Sequence, residues 1–325
     1  MNILVTGGAG YIGSVMVEQA IQSGHRVVVY DSLELGHRAA VHPEATLIQG
    51  FVQDKDKLVT VFREHQIEAV IHMASYIVVS ESVKSPQKYF NNNISASLIL
   101  LDAMLEAEVK KIVFSSTAAV YAAIPNIPIR EDAPLLPNNP YGETKLAFER
   151  ALKWYADAYG IRYAIMRYFN AAGASEHYGE AHDPETHLIP LILQVAEGKM
   201  PQIKIYGEDY DTPDGTCIRD YVHVQDLAQA HMLALKVLET KNEIYNLGYS
   251  NGYSVAEVVE MARQVTGYRI PTERAERRAG DPPILIANSD KATLELGWMP
   301  QHSELDNIIQ SAWKWRQVNP NGYGE

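Results

Sequence analysis

The sequence contains one cysteine, Cys217, in 325 residues. An intramolecular disulfide is therefore excluded, and the chain suits a reducing compartment. No apolar run approaches the ~20 residues needed to span a bilayer. The opening stretch, MNILVTGGAG, has neither the basic flank nor the long apolar run of a secretory signal. A cytoplasmic protein without membrane contact is the expectation. Positive charge is scarce as well: 28 Lys and Arg against 40 Asp and Glu leave a formal net charge of −12. That balance argues against nucleic acid or an anionic membrane as partner. An acidic chain still binds phosphates through local donors such as helix N-termini or single arginines. The histidines, His223 among them, show no metal-ligand spacing, so no metal is expected.

What is present is an alternation. NILVT is a short apolar run ending in glycines, and YIGSVMVEQAIQSG has helical spacing with Gly24 as its stop. RVVVYD is a β-branched buried strand. The order then repeats: TLIQG, a helix over 55–65, AVIHMA, a long helix over 86–108, KIVFSS, a helix from Tyr141 to Tyr159, and the strand RYAIMRYF. Strands alternating with helices predict a Rossmann-type, doubly wound parallel sheet with right-handed crossovers over residues 1–170. Beyond it, 171–187 and 206–220 are rich in Gly, Pro, Asp and Thr and read as loops. Helical patterns follow at 188–197, 225–239, 254–265 and 303–317, with strand-like pieces at 203–206 and 243–247. Residues 171–325 are thus expected to form a smaller α+β substrate lobe, partly interleaved with the first.

Gly7, Gly10 and Gly13 fall between the first strand and the first helix. Glycines there let the backbone turn tightly and approach a pyrophosphate, whose charge the helix N-terminus favours. Asp31 ends the next strand, where a carboxylate accepts from adenosine ribose hydroxyls and repels a 2′-phosphate, favouring NAD over NADP. Further on, Tyr141 and Lys145 lie one helical turn apart, so their side chains leave one face. An ammonium beside a phenol favours the phenolate and would bring the tyrosine pKa down towards the working range. Thr117, in the stretch SSTAAVY, is a hydroxyl able to relay or hold a proton beside Tyr141. Ser115 and Ser116 are expected to support the cofactor or the strand end.

The spacing Gly-x-x-Gly-x-x-Gly together with Tyr-x-x-x-Lys resembles the extended branch of the short-chain dehydrogenase/reductase family. The nucleotide-sugar dehydratases of that family place an Asp-Glu pair immediately after the corresponding Thr, since eliminating water needs an acid and a base beyond the tyrosine. Here Ala118 and Ala119 follow Thr117, so epimerisation is expected instead. The stretches TGGAGYIGS, FSSTAAVY, PYGETK, RYFNAAGA, DPETHLIPLIL, DGTCIRDYVHVQDLA, YNLG and RRAGD make the whole chain similar to the family's UDP-hexose 4-epimerases. That resemblance implies tightly held NAD and the interconversion of UDP-galactose and UDP-glucose through a 4-keto intermediate. It implies a homodimer through the helices over 86–108 and 141–159. A lyase is disfavoured by the missing carboxylates, and a noncatalytic NAD sensor by the retained Tyr141 and Lys145.

For the cofactor, the resemblance adds Tyr11, Ile12, Asn92 and the backbone of Ala74 and Tyr168. Phe51 stands where the family usually has an Asp on the adenine, with Val52 still able to pack there; Ile77 stands where some members have a lysine. For the substrate, Arg219 and Arg278 suit a diphosphate, because guanidinium forks bind oxygen pairs. Arg277 is the neighbour with which Arg278 could be confused. Asp281 would accept from ribose hydroxyls, Tyr206 would pack on uracil, Asn170 would reach the phosphates or sugar, and Leu188 would offer backbone donors. Leu285 would border the carbon-2 substituent of the sugar, which predicts weaker activity on the N-acetylated pair.

Overall fold

The computed structural model describes every residue except 122–126, 279–280 and 325. Six strands alternate with helices along the first half: β1 (Asn2–Thr6), β2 (Arg26–Asp31), β3 (Thr46–Gln49), β4 (Ala69–His72), β5 (Lys111–Thr117) and β6 (Arg162–Tyr168). They lie in the order β6-β5-β4-β1-β2-β3, and the strand Glu243–Leu247 adds outside β6. All these pairings are parallel. Their near-continuous apolar runs follow from helices covering both faces. On one face Val5, Val29 and Ile71 pack with helix Tyr11–Gln22 and helix Val224–Val237; on the other Leu4, Val70 and Phe114 pack with Leu58, Leu101 and Phe148. The sheet of the first half is completed by residues 224–247.

The chain winds outward in opposite directions from β1 and β4. Such a reversal leaves a crevice beyond the C-terminal strand ends, where ligands of open α/β sheets bind. Gly24, with φ +79°, follows the first helix where a stop was expected. The long helix expected over 86–108 is a composite of Pro86–Tyr89, a π-helical turn over Phe90–Ser95, and Ala96–Glu106. That turn aims Asn93 into the space between elements. Its Oδ1 accepts from the Tyr76 N–H at 2.9 Å, and its Nδ2 donates to Thr144 Oγ1 at 3.2 Å.

In the second lobe the strand Ile218–His223 is central. It pairs with Asn170–Ala172 and Ile284–Leu285 in parallel and with Gly252–Ser254 antiparallel. The composition of 206–220 suggests only loop, yet this strand begins at Ile218. Helices Leu188–Ala196, Val255–Thr266 and Leu305–Val318 bury Ile192, Leu193, Val258, Val259, Ile308 and Ile309 together. The short helix Val79–Lys84 has no counterpart in the sequence reading.

Candidate active site

One cavity of about 1630 Å³ runs from the glycine turn, past the ends of β4 and β5, into the second lobe. At its first end Gly7 has φ +73°, and a side chain there would meet Ala74 N at 2.7 Å. A Cβ on Gly13 would sit 2.0 Å from Gly7 O. Gly10 is different. Its backbone is extended (φ −85°) and its nearest neighbour would be 3.4 Å away, so glycine there keeps open the space in front of the helix N-terminus.

Asp31 is buried, and its two carboxylate oxygens accept from Ala9 N–H and Leu33 N–H, each at 2.9 Å. It braces the turn while keeping lone pairs for further donors. Burial raises its pKa, against the pull of those two bonds. The backbone cradle, the open helix start and this carboxylate together fit a dinucleotide. Ile12, Val52, Ala74, Asn92 and Tyr168 all line the same cavity. Tyr11 lines it too, but its hydroxyl donates to Gly173 O at 2.6 Å and so ties the turn to the second lobe. Phe51 lies on the rim, 55% exposed, and Ile77 faces the same space.

The helix Pro140–Tyr159 starts at Asn139, whose side chain accepts from Gly142 N–H. Its first turns carry Tyr141 and Lys145, both buried. The Tyr141 hydroxyl lies near the Thr117 side chain at the end of β5, which acts to lower its pKa. Lys145 Nζ donates to Ser75 Oγ at 3.0 Å and to Ser115 O at 2.9 Å, and lies 5.9 Å from the centre of the Tyr141 ring. The sequence suggests a phenol made acidic by this lysine. In the structure burial dominates: Tyr141 is pushed up to about 12, with Thr117 pulling the other way. Burial also brings Lys145 down to about 7, opposed by the charge of Glu149.

Behind these groups is a polar layer that the sequence reading missed. Ser116 donates to Glu149 Oε1 at 2.5 Å, and Glu149 pairs with Arg167 at 2.5 Å, both side chains 1% exposed. Arg167 donates to the Tyr121 hydroxyl, which donates to Asn246 Oδ1, each at 2.8 Å. Ser115 does not reach the cavity. Its hydroxyl meets His231 Nε2 at 3.0 Å. Because His231 Nδ1 faces Leu227 O at 2.8 Å, that nitrogen carries the proton and Nε2 accepts from Ser115. Burial lowers His231 to about 4, keeping it neutral. Ala118 and Ala119 line the cavity beside Thr117, and neither offers an acid or a base.

The far end is lined by Asn170, Leu188, Tyr206, Arg219, Arg278, Asp281 and Leu285. Leu188 opens its helix after His187, which makes no side-chain cap, so backbone donors face outward. Asn170 Nδ2 donates to Asp220 O at 2.8 Å. Arg219 and Asp281, assigned separately to diphosphate and ribose, meet each other in an ion pair. The Arg278 guanidinium lies 4.2 Å over the Tyr206 ring. Arg277 turns away to Asp209, at 2.6 Å, and to the Tyr210 ring; of the two arginines, Arg278 is the one in the cavity.

Residues 3–248 match the sequence profile of the NAD dependent epimerase/dehydratase family. The chain belongs to that family. Among its curated relatives, a UDP-glucose 4-epimerase of Streptococcus mutans is 54% identical over 100% of this chain and 99% of its own. One from Halalkalibacterium halodurans is 50% identical over 99% and 98%. A crystal structure of a UDP-glucose 4-epimerase superposes with a TM-score of 0.98 at 49% identity, covering both chains fully. The enzyme of Bifidobacterium longum, solved with NAD+ and UDP, gives 0.94 at 36% identity over 99% and 100%. The chain carries Tyr141 and Lys145 in the first turns of the helix Pro140–Tyr159, beside Thr117 at the end of β5. Among the described residues, no helix is long and apolar enough to cross a membrane.

Proposed function

We propose that Tyr141, Thr117 and Lys145 carry out NAD-dependent epimerisation at carbon 4 of a UDP-hexose, interconverting UDP-galactose and UDP-glucose. The observation that carries this reading is the Tyr141–Thr117 hydroxyl pair, set in a cavity wall where Ala118 and Ala119 replace any acid or base. Such a wall supports redox inversion and gives no means of eliminating water. Bound NAD supplies a two-electron acceptor that returns the electrons, and a positively charged ring.

The Tyr141 oxygen takes the proton of the 4-hydroxyl and later gives it back, while Thr117 holds that hydroxyl in reach. A phenol held at about 12 by burial needs a positive field to do this near neutrality. Lys145, anchored by Ser75 and Ser115, contributes part of that field and orients the cofactor ribose. Gly7, Gly10, Gly13, Tyr11, Ile12, Asp31, Val52, Ala74, Asn92, Ser115 and Tyr168 hold or back the dinucleotide. Arg219 and Arg278 hold the diphosphate, helped by the Leu188 backbone. For the Arg219 fork to open, its ion pair with Asp281 must give way as the nucleotide enters, freeing Asp281 for the ribose. Tyr206 packs on uracil, while Asn170 and Leu285 meet the sugar.

Residues 1–170 form the cofactor lobe and 171–325 the nucleotide-sugar lobe, with 224–247 returning to the first. The chain pairs as a homodimer through the helices that carry Phe90 and Trp154, the latter 74% exposed; light scattering of the eluted protein reads the mass. The single cysteine supports a cytoplasmic setting. The decisive experiment incubates the purified protein with UDP-galactose and no added cofactor. UDP-glucose should form. Accumulation of a free keto sugar would mean a lyase, and no turnover a noncatalytic nucleotide binder.

A further inference from the structure

Between the strand Asn170–Ala172 and the helix Leu188–Ala196 the chain folds back on itself and gathers Glu180, His182, Glu185 and His187. One donor atom from each lies within 4.8 Å of all the others. His187 Nδ1 is 2.7 Å from Glu180 Oε1 and 3.2 Å from Glu185 Oε1; His182 Nδ1 is 3.0 Å from Glu180 Oε1 and 3.9 Å from Glu185 Oε2. The glutamates are the inner pair, with side chains 8% and 4% exposed, and the imidazoles cover them. Two buried carboxylates this close need compensating positive charge.

We propose that Glu180, His182, Glu185 and His187 form a binding site for one zinc ion. Two imidazole nitrogens and two carboxylate oxygens are a zinc donor set. With metal–ligand bonds of about 2.0–2.2 Å, tetrahedral ligands stand roughly 3.3 Å apart, within the 2.7–3.9 Å range of the imidazole–carboxylate separations. The ion replaces the protons that otherwise bridge the imidazoles to the carboxylates.

All four ligands come from the protein, which leaves no open position, so the site is structural. Its place defines what it steadies. The His182 ring meets the edge of the Tyr11 ring 6.1 Å away, and Tyr11 belongs to the glycine turn. His187 immediately precedes Leu188 at the helix start in the second lobe. The ion therefore fixes the segment that joins the two nucleotide-binding ends of the cavity. This inference stands apart from the proposed reaction, since it concerns metal binding by the folded chain.

The test uses the full chain without a histidine tag, stripped with a chelator and titrated with Zn²⁺ against a chromophoric chelator. One equivalent should bind per chain, and millimolar Mg²⁺ should not compete, because imidazole donors disfavour it. In His182→Asn/His187→Asn the affinity should fall by more than about 100-fold, since losing only outer partners of a metal ligand costs 10–100-fold. Should that variant fail to fold, the wild-type stoichiometry and the single variant His182→Asn carry the test. Failure of the stripped wild type to take up one equivalent would overturn the proposal. So would unchanged affinity in the variant that folds.

Discussion

Replacing Glu149 by Gln removes one negative charge from the layer beneath Tyr141 and Lys145 while keeping its shape. Arg167 would retain the Tyr121 hydroxyl at 2.8 Å and Glu131 O at 3.2 Å, but no charged partner. An uncompensated guanidinium in a site 1% exposed is the costly case, and breaking such a pair costs about 3–5 kcal/mol. For 325 residues an unfolding entropy of ~2.1 cal/mol/K per residue gives roughly 0.7 kcal/mol/K, so the melting temperature should fall by about 4–7 °C. Calorimetry or fluorescence melting reads this. Adding Arg167→Met should restore part of the loss, because the stranded charge is gone.

The same substitution has a second readout. Glu149 is the group that raises Lys145 against burial, so without it Lys145 should lose its proton at still lower pH. The alkaline limb of the pH–activity profile should then move down. The sign for stability follows from the same shift. The folded value, about 7, lies below the ordinary lysine value of 10.5, so unfolding takes up a proton between them and stability rises with pH over that window. Removing Glu149 widens the window at its lower edge. An unmoved alkaline limb and an unchanged melting temperature in Glu149→Gln would refute the reasoning.

Tyr141→Phe should reduce turnover by about 10²–10⁴-fold with bound NAD and melting temperature largely kept, because the lost oxygen transfers a proton and adds little packing; wild-type turnover would remove Tyr141 from that role. Gly13→Ala should abolish cofactor retention, since its Cβ would press against Gly7 O at 2.0 Å; the absorbance of released nucleotide measures it, and full occupancy would contradict the clash. Phe51→Asp should slow NAD release about fivefold if a new adenine hydrogen bond is worth ~1 kcal/mol; unchanged or faster release in a competition assay counts against it. Leu285→Tyr should spare UDP-galactose while lowering any turnover of UDP-N-acetylgalactosamine. If the variant treats the two sugars as the wild type does, Leu285 does not border carbon 2.

What was legible in the sequence is what is local. The glycine turn, Asp31 at a strand end and the Tyr141–Lys145 helix face each depend on a few consecutive residues, and β1 to β6 follow from β-branched runs. The polar layer behind them depends on register. Ser116 stands opposite Arg167 only because β5 pairs with β6, and Glu149 reaches both from a helix packed across them. A trace was available, since Glu149 lies four residues beyond Lys145 and so on the same buried face. The pairing of Arg219 with Asp281 was equally hidden, as 62 residues separate them. In the second lobe the strand Ile203–Tyr206 was legible, whereas Asn170–Ala172, Gly252–Ser254 and Ile284–Leu285, of two or three residues each, carry too little periodicity to be read.

The place of Glu243–Leu247 in the sheet bears on how the chain is made. It is the outer neighbour of β6, yet it leaves the ribosome some 75 residues after β6 is finished at Tyr168. At about 5–20 residues per second, that is roughly 4–15 s during which β6 is an unpaired edge. An open edge of this kind is a template for a neighbouring nascent chain. Helix Val224–Val237, which covers the face of the same strands, emerges just ahead of the missing strand. Closure of the sheet and burial of its face therefore arrive together, late in synthesis. A chain interrupted near residue 170 would hold every glycine of the cofactor turn and still lack the edge that completes the sheet.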